Sequence, residues 1–365
     1  MIKKKIKLYY KVLIQLFFKC IYGKIYVPKT IDNLLKKEKI NNSLFKSYYN
    51  KSYNIYKINN ARIFTDNNEN VAIIKDNLIL PFVSFQQVNG DLKNIKHNTV
   101  VRIGTPSFIK KIKGKVLNLC QGDSGNNYFH FMFDILPKIY FFKSQIDLKN
   151  INYFYFSDPK KWQINILKLI GIQKKKILSS KIYNHIMVDE IYAVDHPWYH
   201  KGLIQYNLEK IPEWIINYNR KFFLKNYGKF QNKRIFLDRS LSKFNHCQIE
   251  NKNDIINLIT KKNFEIHRPE YMSIKKQVKL FKNSSIVIGA HGAAFTNIIF
   301  CKPKTKIVEI IPSDHPNKKC KRISKVLNFK YYRIKTKPNN NDKNFPFKIS
   351  LNNQNLKLIE RIINL

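Results

Sequence analysis

The chain has 365 residues and a formal net charge of +43 at pH 7. Its 44% apolar and 14% aromatic residues exclude a wholly disordered protein, and its length favours two domains of about 150 residues each. Two explanations of the charge stay open: a lysine-rich composition that arises from AT-rich coding, or a functional basic face. The lysines are spread along the chain and form no stripe that would track phosphates, so nucleic acid is not expected as a partner.

The first segment, residues 1–29, is basic and amphipathic. Its apolar run from Leu8 to Tyr22 is interrupted by Lys11, Gln15 and Lys19, and it is shorter than the ~20 apolar residues of a membrane span. No signal-peptide cleavage site is evident. Apolar residues recur at helical spacing opposite the lysines: Leu8, Tyr9, Val12, Leu13, Leu16, Phe17 and Cys20. Two alternatives stay open, a helix lying on an anionic membrane and a helix packed on its own domain.

The rest of the chain alternates between strand-like and helix-like segments. Strands are predicted over 71–74, 78–81, 115–119, 153–156, 176–178, 191–194, 234–237, 264–266, 286–288 and 306–311, and helices over 162–170, 211–227, 254–260, 274–281, 296–300 and 353–363, with a further helix from about 127. This alternation predicts an α/β protein with parallel sheets covered by helices on both faces. We expect one domain over 30–210 and a second over 211–365.

The helix from about 127 carries a candidate general base. Asn127, His130 and Asp134 lie at i, i+3 and i+7 and so share one face. The carboxylate of Asp134 can orient the His130 ring and stabilise its charged form, which is the arrangement of a general base. Ser124, Asn126 or Asn127 is expected to cap the helix. The opposite face is predicted to be the core-facing one, with Phe129, Phe133, Leu136 and Tyr140. The alternative is a partly buried histidine that a local carboxylate satisfies.

A basic residue ends the strand predicted at 234–237. Arg239 follows Asp238 there, and a guanidinium at a strand end can bind pyrophosphate through two parallel hydrogen bonds. The alternative is a solvated charge beside Asp238.

A small-residue loop follows the strand at 286–288. Gly289, Gly292 and Ala293 let the backbone approach an anion, and the helix that follows offers unpaired N–H groups. His291 adds a side-chain donor to phosphate. The alternative is a tight turn whose glycines serve packing only.

Two further polar residues stand near this loop in sequence. Asn297 can reach the same pocket from the first helical turn, and Glu309 stands on the next strand, where it can accept hydrogen bonds from ribose hydroxyls. With these residues, the loop is predicted to hold the phosphates of a nucleotide.

Two segments resemble a known family. The run Gly289–Phe300, followed by Val308 to Ile310, is similar to the signature of glycosyltransferase family 61, and residues 127–137 resemble its N-x-x-H-x-x-x-D-x-L-P motif. The resemblance covers roughly 115–312. It implies a GT-B fold with two Rossmann-like domains facing a cleft, a nucleotide-sugar donor, inversion at the anomeric carbon, and a glycan or glycolipid acceptor from capsule or lipopolysaccharide synthesis. Whether the last helix crosses back to the first domain stays open.

The family usually has Ser-Arg, a second Arg and an Asn-Glu pair near the strand at 234–237. This chain has Asp238-Arg239, carries His246 near the position of the second Arg, and follows Asn251 with Lys252. His246 or Lys243 is the expected substitute.

No metal or resident cofactor is expected. The chain has no Asp-x-Asp and no His, Asp or Glu cluster at metal-ligand spacing. Its five cysteines contain no C-x-x-C pair, which excludes a zinc knuckle and a disulfide framework and favours a cytoplasmic location. Protein donors must therefore neutralise the diphosphate. The predicted function is metal-independent, inverting glycosyl transfer, and the competing hypotheses are a basic nucleic-acid-binding protein and an inert nucleotide-binding scaffold.

Overall fold

The computed structural model describes residues 2–30, 36–39, 45, 47, 52–66, 70–88, 90–121, 127–199, 201–224, 231–241, 247–337 and 348–365. They form two compact units, 1–207 and 208–365. Each unit is an α/β structure with its own sheet. Within the described ranges, no helix is both long enough and apolar enough to cross a membrane.

The first unit is built around one mixed sheet. Its strands are β1 Lys36–Lys39, β2 Asn54–Thr65, β3 Asn70–Lys75, β4 Leu78–Ile79, β5 Phe85–Val88, β6 Asp91–Leu92, β7 Lys110–Asn118, β8 Tyr153–Phe156, β9 Ile177–Ser179, β10 His185–Val194 and β11 Gly202–Leu203. Its helices are α1 Ile2–Tyr22, α2 Thr99–Ile103, α3 Tyr128–His130, α4 Leu136–Lys143, α5 Lys161–Ile170 and α6 Ile204–Asn207, with single turns of 3₁₀ helix at Ile95–His97, Leu148–Asn150 and Lys174–Lys176.

The expectation of purely parallel sheets is wrong for this unit. The strands run in the order β11-β6-β5-β3-β2-β10-β7-β8-β9, and only β10, β7, β8 and β9 pair in parallel. The other pairs are antiparallel. The pairs β2–β3, β3–β4 and β5–β6 join strands that follow each other in the chain, whereas β2 also pairs with β10, and β6 with β11, across long connections. Asp76 and Asn77 both have positive φ, the geometry of a two-residue hairpin turn, and they join β3 directly to β4.

The parallel part of this sheet reverses its order between β7 and β10. From β7 the chain moves outward to β8 and β9, and then returns to place β10 on the other side of β7. In open α/β sheets, ligands bind outside the carboxyl ends of the strands at such a reversal. Gln121 and His196 follow the carboxyl ends of β7 and β10 and therefore lie at this point.

The helix that follows β7 begins at Asn127, as predicted, but it is not regular. Asn127 caps it, accepting from the backbone N–H of Phe129 at 2.9 Å, whereas Ser124 and Asn126 lie outside the described residues. A π-helical segment, Phe131–Ile135, separates α3 from α4. Residues 129–139 are all buried, so the expected division into a polar face and a core face is wrong.

The second unit contains a parallel sheet in the order β14-β12-β15-β16-β17. Its strands are β12 Lys233–Leu237, β13 Gln248–Ile249, β14 Glu265–His267, β15 Ser284–Ala290, β16 Lys306–Pro312, β17 Lys330–Thr336 and β18 Lys348–Ile349. Its helices are α7 Glu213–Phe223, α8 Lys252–Lys261, α9 Ile274–Lys282, α10 Lys319–Val326 and α11 Asn353–Asn364, with 3₁₀ helices at Leu208–Lys210, Pro269–Tyr271 and Ala293–Phe300. Here the order reverses between β12 and β15, so Arg239 and the loop after β15 lie at the reversal.

Two helices of this unit differ from their predicted form. The segment after Gly292 is a 3₁₀ helix where the first turns of an α-helix were expected. The helix expected over 211–227 is α7, which ends at Phe223, and residues 225–230 lie outside the description. The last helix, α11, packs on its own unit: Ile359, Ile362 and Ile363 join the core formed with α8 and the sheet.

Candidate functional site

Asp134 is the centre of a buried polar cluster in the first unit. It is fully buried, and its Oδ2 lies 2.8 Å from Nδ1 of His130. Its other oxygen, Oδ1, accepts from the indole N–H of Trp198 at 2.9 Å. Gln121 donates to Oδ2 at 3.3 Å. The π-helical segment brings the Asp134 carboxylate to the His130 ring one turn earlier, as the sequence predicted.

A second histidine shares this carboxylate. Nε2 of His196 lies 3.6 Å from Oδ2 of Asp134. His196 and Trp198 follow β10, whereas His130 follows β7, so the cluster joins the two strands at which the sheet order reverses. The ammonium of Lys138, also buried, donates to Gln121.

The ionisation of this cluster follows from burial and charge. Burial acts to raise the pKa of Asp134, but His130 and His196 outweigh burial and hold that pKa well below its usual range. Burial also lowers the pKa of Lys138 to about 8, against the attraction of Asp134 and Asp195. A carboxylate of low pKa is a weak base, so Asp134 is suited to orienting His130 and unsuited to taking a proton itself.

In the second unit, Gly289 and Gly292 are required by space. A Cβ on Gly289 would lie 2.8 Å from Cβ of Leu237, because β15 and β12 pair directly at these two residues. A Cβ on Gly292 would lie 1.4 Å from Nη1 of Arg239. Gly289 therefore serves strand packing, and Gly292 makes room for a guanidinium.

Two cations converge on Gly292. Arg239 places its guanidinium against this residue, and Lys319, the first residue of α10, donates its buried ammonium to the Gly292 carbonyl oxygen at 3.1 Å. Burial lowers the pKa of both groups. Ala293 begins the 3₁₀ helix beside them and is partly exposed. Because the backbone N–H groups of a helix's first turn are directed out of its N-terminal end, they are directed towards this place.

His291 is buried and is held by Glu309. Nδ1 of His291 lies 2.5 Å from Oε1 of Glu309, and the hydroxyl of Tyr331 donates to the other oxygen at 2.5 Å. Burial raises the pKa of Glu309, but His291, Cys320 and Tyr331 outweigh burial and hold that pKa at about 2. Because Glu309 is 1% exposed and both its oxygens are engaged, its position favours orienting His291 over the ribose contact expected from the sequence.

The charges around His291 are mainly positive. Burial lowers the pKa of His291 and, with Glu309 opposing, the cations Lys319 and Arg239 lower it further. The ring of His315 lies 4.8 Å from the ring of His291, and burial lowers the pKa of His315 to about 3. The Glu309 carboxylate, with Glu270 acting on Arg239, therefore stands against several cationic or basic groups, and this balance favours an anionic ligand.

One group of side chains within the described ranges could hold a metal ion by distance alone. The ligand atoms of His291, Glu309 and Cys320 lie within 4.8 Å of one another. Burial and the Glu309 carboxylate raise the pKa of the Cys320 thiol well above its usual range. The cations Lys319 and Arg239 act on His291 within this trio, and their charge opposes the binding of a divalent cation.

The remaining predicted residues are used inside the second unit. Asn297 is fully buried and donates to Gln277 of α9 at 2.7 Å. Asp238 pairs with Arg268 at 2.7 Å and with Lys252 at 3.2 Å. Lys243 and His246, the expected substitutes for the family's second arginine, lie outside the described residues.

Sequence reasoning missed residues in both clusters. In the first unit, Asp195-His196-Pro197-Trp198 follows a predicted strand, and polar residues at a strand's carboxyl end are a usable signal that was overlooked. In the second unit, Lys319 begins a helix that was not predicted, and nothing in its spacing links it to Gly292.

The comparisons with known proteins agree with the resemblance. Beta-1,2-xylosyltransferase RCN11 of Oryza sativa subsp. japonica is 36% identical over 64 residues, and the beta-1,2-xylosyltransferase of Arabidopsis thaliana is 37% identical over 64 residues. Each match covers 18% of this chain and only 12% of the relative. A mutant flavo di-iron protein from Thermotoga maritima aligns over 90% of this chain and 98% of its own at 9% identity. The TM-score of this alignment is 0.24, which is too low to indicate a shared fold.

The model of the family described as Glycosyltransferase 61 matches residues 128–308. This span contains Asp134 with His130, His196 and Trp198, and also Arg239 and the loop after β15. It begins after Gln121 and ends one residue before Glu309. On this match, the segment 128–308 of the chain is similar to glycosyltransferase family 61.

Proposed function

We propose that the protein is a metal-independent, inverting glycosyltransferase that moves a sugar from a nucleotide-sugar donor to a hydroxyl of a glycan or glycolipid. The family match of 128–308 supports the activity class. The observation that carries the donor assignment is the convergence of Arg239 and Lys319 on Gly292 at the reversal of the second sheet.

The donor diphosphate binds at the loop after β15. The N–H groups of the first 3₁₀ turn, starting at Ala293, approach one phosphate, and Arg239 approaches the other as a two-pronged donor. Lys319 supplies the positive charge that the family draws from a second arginine. When the bond to the anomeric carbon breaks, its electron pair goes to the leaving diphosphate, and these cations neutralise the charge that a metal would otherwise carry.

The base belongs to the first unit. His130 takes the proton of the acceptor hydroxyl at Nε2 as that oxygen attacks the anomeric carbon, which inverts its configuration. Asp134 accepts from Nδ1 and stabilises the imidazolium, while Trp198 and Gln121 hold the carboxylate in place. We assign the base to His130 because the low pKa of Asp134 makes it the weaker base.

The transferred sugar and its acceptor are finer parts of the proposal. The two plant relatives are named as beta-1,2-xylosyltransferases, so an activated xylose joins the candidate donors beside hexoses. The acceptor is a surface-polysaccharide or lipopolysaccharide intermediate at the cytoplasmic face of the membrane, as the family resemblance implies. The GT-B assignment gives donor binding to the second unit and the base to the first.

A panel of nucleotide sugars, including a nucleotide-activated xylose, tests this function. Binding is measured by calorimetry and transfer by mass spectrometry of glycan acceptors, with EDTA present throughout. We expect His130→Gln to lower the transfer rate by about 100-fold or more with unchanged donor affinity. His97→Gln, at an exposed histidine, is the matched control and should behave as the unchanged protein.

Each part of the proposal has its own contrary result. Full transfer by His130→Gln would overturn the base assignment. If none of the nucleotide sugars in the panel binds, the assignment of the donor site is overturned. Activity that requires an added divalent cation would overturn the role given to Arg239 and Lys319.

A further inference from the structure

Among the described side chains of the first helix, α1, those near its carboxyl end fix it to its unit. Phe18 is buried, and Lys19 donates its ammonium to the carbonyl oxygen of Arg102 at 2.8 Å. The hydroxyl of Tyr22 accepts from the backbone N–H of Ile109 at 3.2 Å. Residues 5–13 of the helix are all exposed, so this part of α1 extends from the unit without burying a side chain.

The side of α1 that is turned away from the unit is apolar. Its residues are 43% to 71% exposed, and we call them the apolar face of α1: Ile6, Tyr9, Tyr10, Val12, Leu13, Leu16, Phe17 and Ile21. At 100° per residue they occupy about half of the helix circumference, and Phe18 and Tyr22 lie in the other half. The exposed ring of Phe108 extends this face, 6.4 Å from the ring of Phe17. These exposed side chains therefore do not pack on their own unit, whereas the carboxyl-terminal end of α1 does.

The charges of α1 have one sign. Lys5, Lys7 and Lys11 are exposed, and the first acidic residue of the chain is Asp32, beyond the helix. At 100° per residue, Lys7 and Lys11 lie in the half opposite the apolar face, and Lys5 lies near the edge of that face, beside Val12. An exposed apolar face with lysines at its edge and on the opposite side is the pattern of a helix that lies in the plane of an anionic bilayer. The exposed part of α1 is also too short to be a stable helix in water without a surface to bury its apolar side chains.

We propose that the apolar face of α1 and Phe108 form a docking surface for an anionic lipid bilayer. The helix lies in the headgroup region with its apolar face towards the acyl chains, and Lys5, Lys7 and Lys11 contact lipid phosphates. Docking places the first unit on the membrane side that carries anionic lipid, where a lipid-linked acceptor would be found. Vesicle binding is measured without turnover, so this proposal and the proposed function can fail separately.

Co-sedimentation of the full chain with vesicles tests the proposal. The vesicles are phosphatidylcholine alone or phosphatidylcholine mixed with phosphatidylglycerol. One variant carries Leu13→Gln and Phe17→Gln, and a second carries Lys5→Ser, Lys7→Ser and Lys11→Ser. The matched control, which removes three exposed lysines elsewhere in the unit, carries Lys168→Ser, Lys174→Ser and Lys175→Ser.

We expect the unchanged protein and the control to bind the phosphatidylglycerol vesicles, with affinity that falls as salt is added. The lysine variant should bind about 100-fold more weakly at low ionic strength, and the glutamine variant should lose at least about tenfold. Equal losses in the control and the lysine variant would overturn the proposal, because binding would then follow total charge. Concentration-dependent self-association that both α1 variants abolish, without vesicle binding, would overturn it in favour of a second copy of the chain.

Discussion

At residue 292, glycine is needed for the space it leaves. Gly292 has φ 169°, an extended conformation that any residue can adopt. Its missing side chain leaves the volume that the Arg239 guanidinium occupies, 1.4 Å from where a Cβ would stand. A methyl group at this position therefore acts on the arginine and leaves the backbone conformation unaffected.

Gly292→Ala should weaken donor binding by displacing Arg239. Loss of the hydrogen bonds of one charged group is worth about 1.5–3 kcal/mol, so we expect an affinity loss of roughly 10- to 100-fold with little change in melting temperature. Calorimetry on Gly292→Ala, Arg239→Ala and the double variant measures this. Both changes remove the same interaction, that of Arg239 with the donor. The double variant should therefore bind no more weakly than either single variant. Additive losses would contradict the mechanism.

His291 should take up a proton when a donor binds. In the free protein, burial and the charges of Lys319 and Arg239 lower its pKa against Glu309, so its ring is neutral at pH 7. A bound diphosphate raises that pKa, and affinity should therefore increase as the pH is lowered. The ligand is a nucleotide sugar, because its doubly esterified pyrophosphate does not titrate near neutral pH. Calorimetry repeated in buffers of different ionisation heat then measures the protons taken up on binding. The proton uptake should vanish in His291→Gln, and its persistence there would assign it to another group.

At the scale of elements, most strands and helices of the second unit were predictable from the sequence, and fewer of those in the first unit were. Buried strands such as β15 and β16 are short apolar runs with clear ends, which periodicity detects. The hairpins of the first unit depend on which strands pair, and their local signs are the Asp76–Asn77 turn and the Asn-Gly sequence that ends at Gly90, between β5 and β6. The π-helical segment at Phe131–Ile135 has no sequence period of its own.

The candidate site was predictable where its members are close in sequence. His130 and Asp134 are four residues apart, and helical spacing alone places them together. Trp198 is 64 residues from Asp134, and Lys319 is 27 residues from Gly292. These contacts follow from the order of strands in each sheet, which spacing does not reveal.

Gly289→Ala should destabilise the second unit by separating β12 from β15. The added Cβ would lie 2.8 Å from Cβ of Leu237 and 3.0 Å from its carbonyl oxygen, which belongs to the backbone and cannot turn aside. We expect a loss of about 1–3 kcal/mol in the free energy of unfolding, measured by denaturant titration. Gly171→Ala is the control. Gly171 has φ +98°, which strains an alanine backbone, but its added Cβ would meet nothing within 4 Å, so this variant measures backbone strain without crowding. A smaller loss for Gly289→Ala than for this control would show that the strands can move apart freely.

Across the whole molecule, the two units repeat one device. Each places a buried carboxylate against Nδ1 of a histidine where its sheet order reverses, Asp134 with His130 and Glu309 with His291. Both carboxylates have pKa values below their usual range. The surroundings differ in charge. Two cations, Lys319 and Arg239, act on His291, whereas Asp134 is approached by a second histidine and an indole N–H, with one cation, Lys138, nearby. The same pair thus suits a base in one unit and an anion site in the other.

The pair of Glu309 and His291 should make the stability of the protein sensitive to acid. The usual pKa of Glu309 is 4.5 and its folded value is about 2, so its stabilisation is complete above about pH 4.5 and is lost as the pH falls towards 2. The lowered pKa of His291 acts in the same direction from about pH 6.5 downward, because the unfolded chain takes up a proton that the folded chain does not. Denaturant titrations between pH 7 and pH 3 should show a falling free energy of unfolding, with Glu309 contributing on the order of 2 kcal/mol. Glu309→Gln should be less stable at pH 7 yet lose less between pH 5 and pH 3. A parallel decline in both proteins would mean that Glu309 is not ionised against His291 in the folded state.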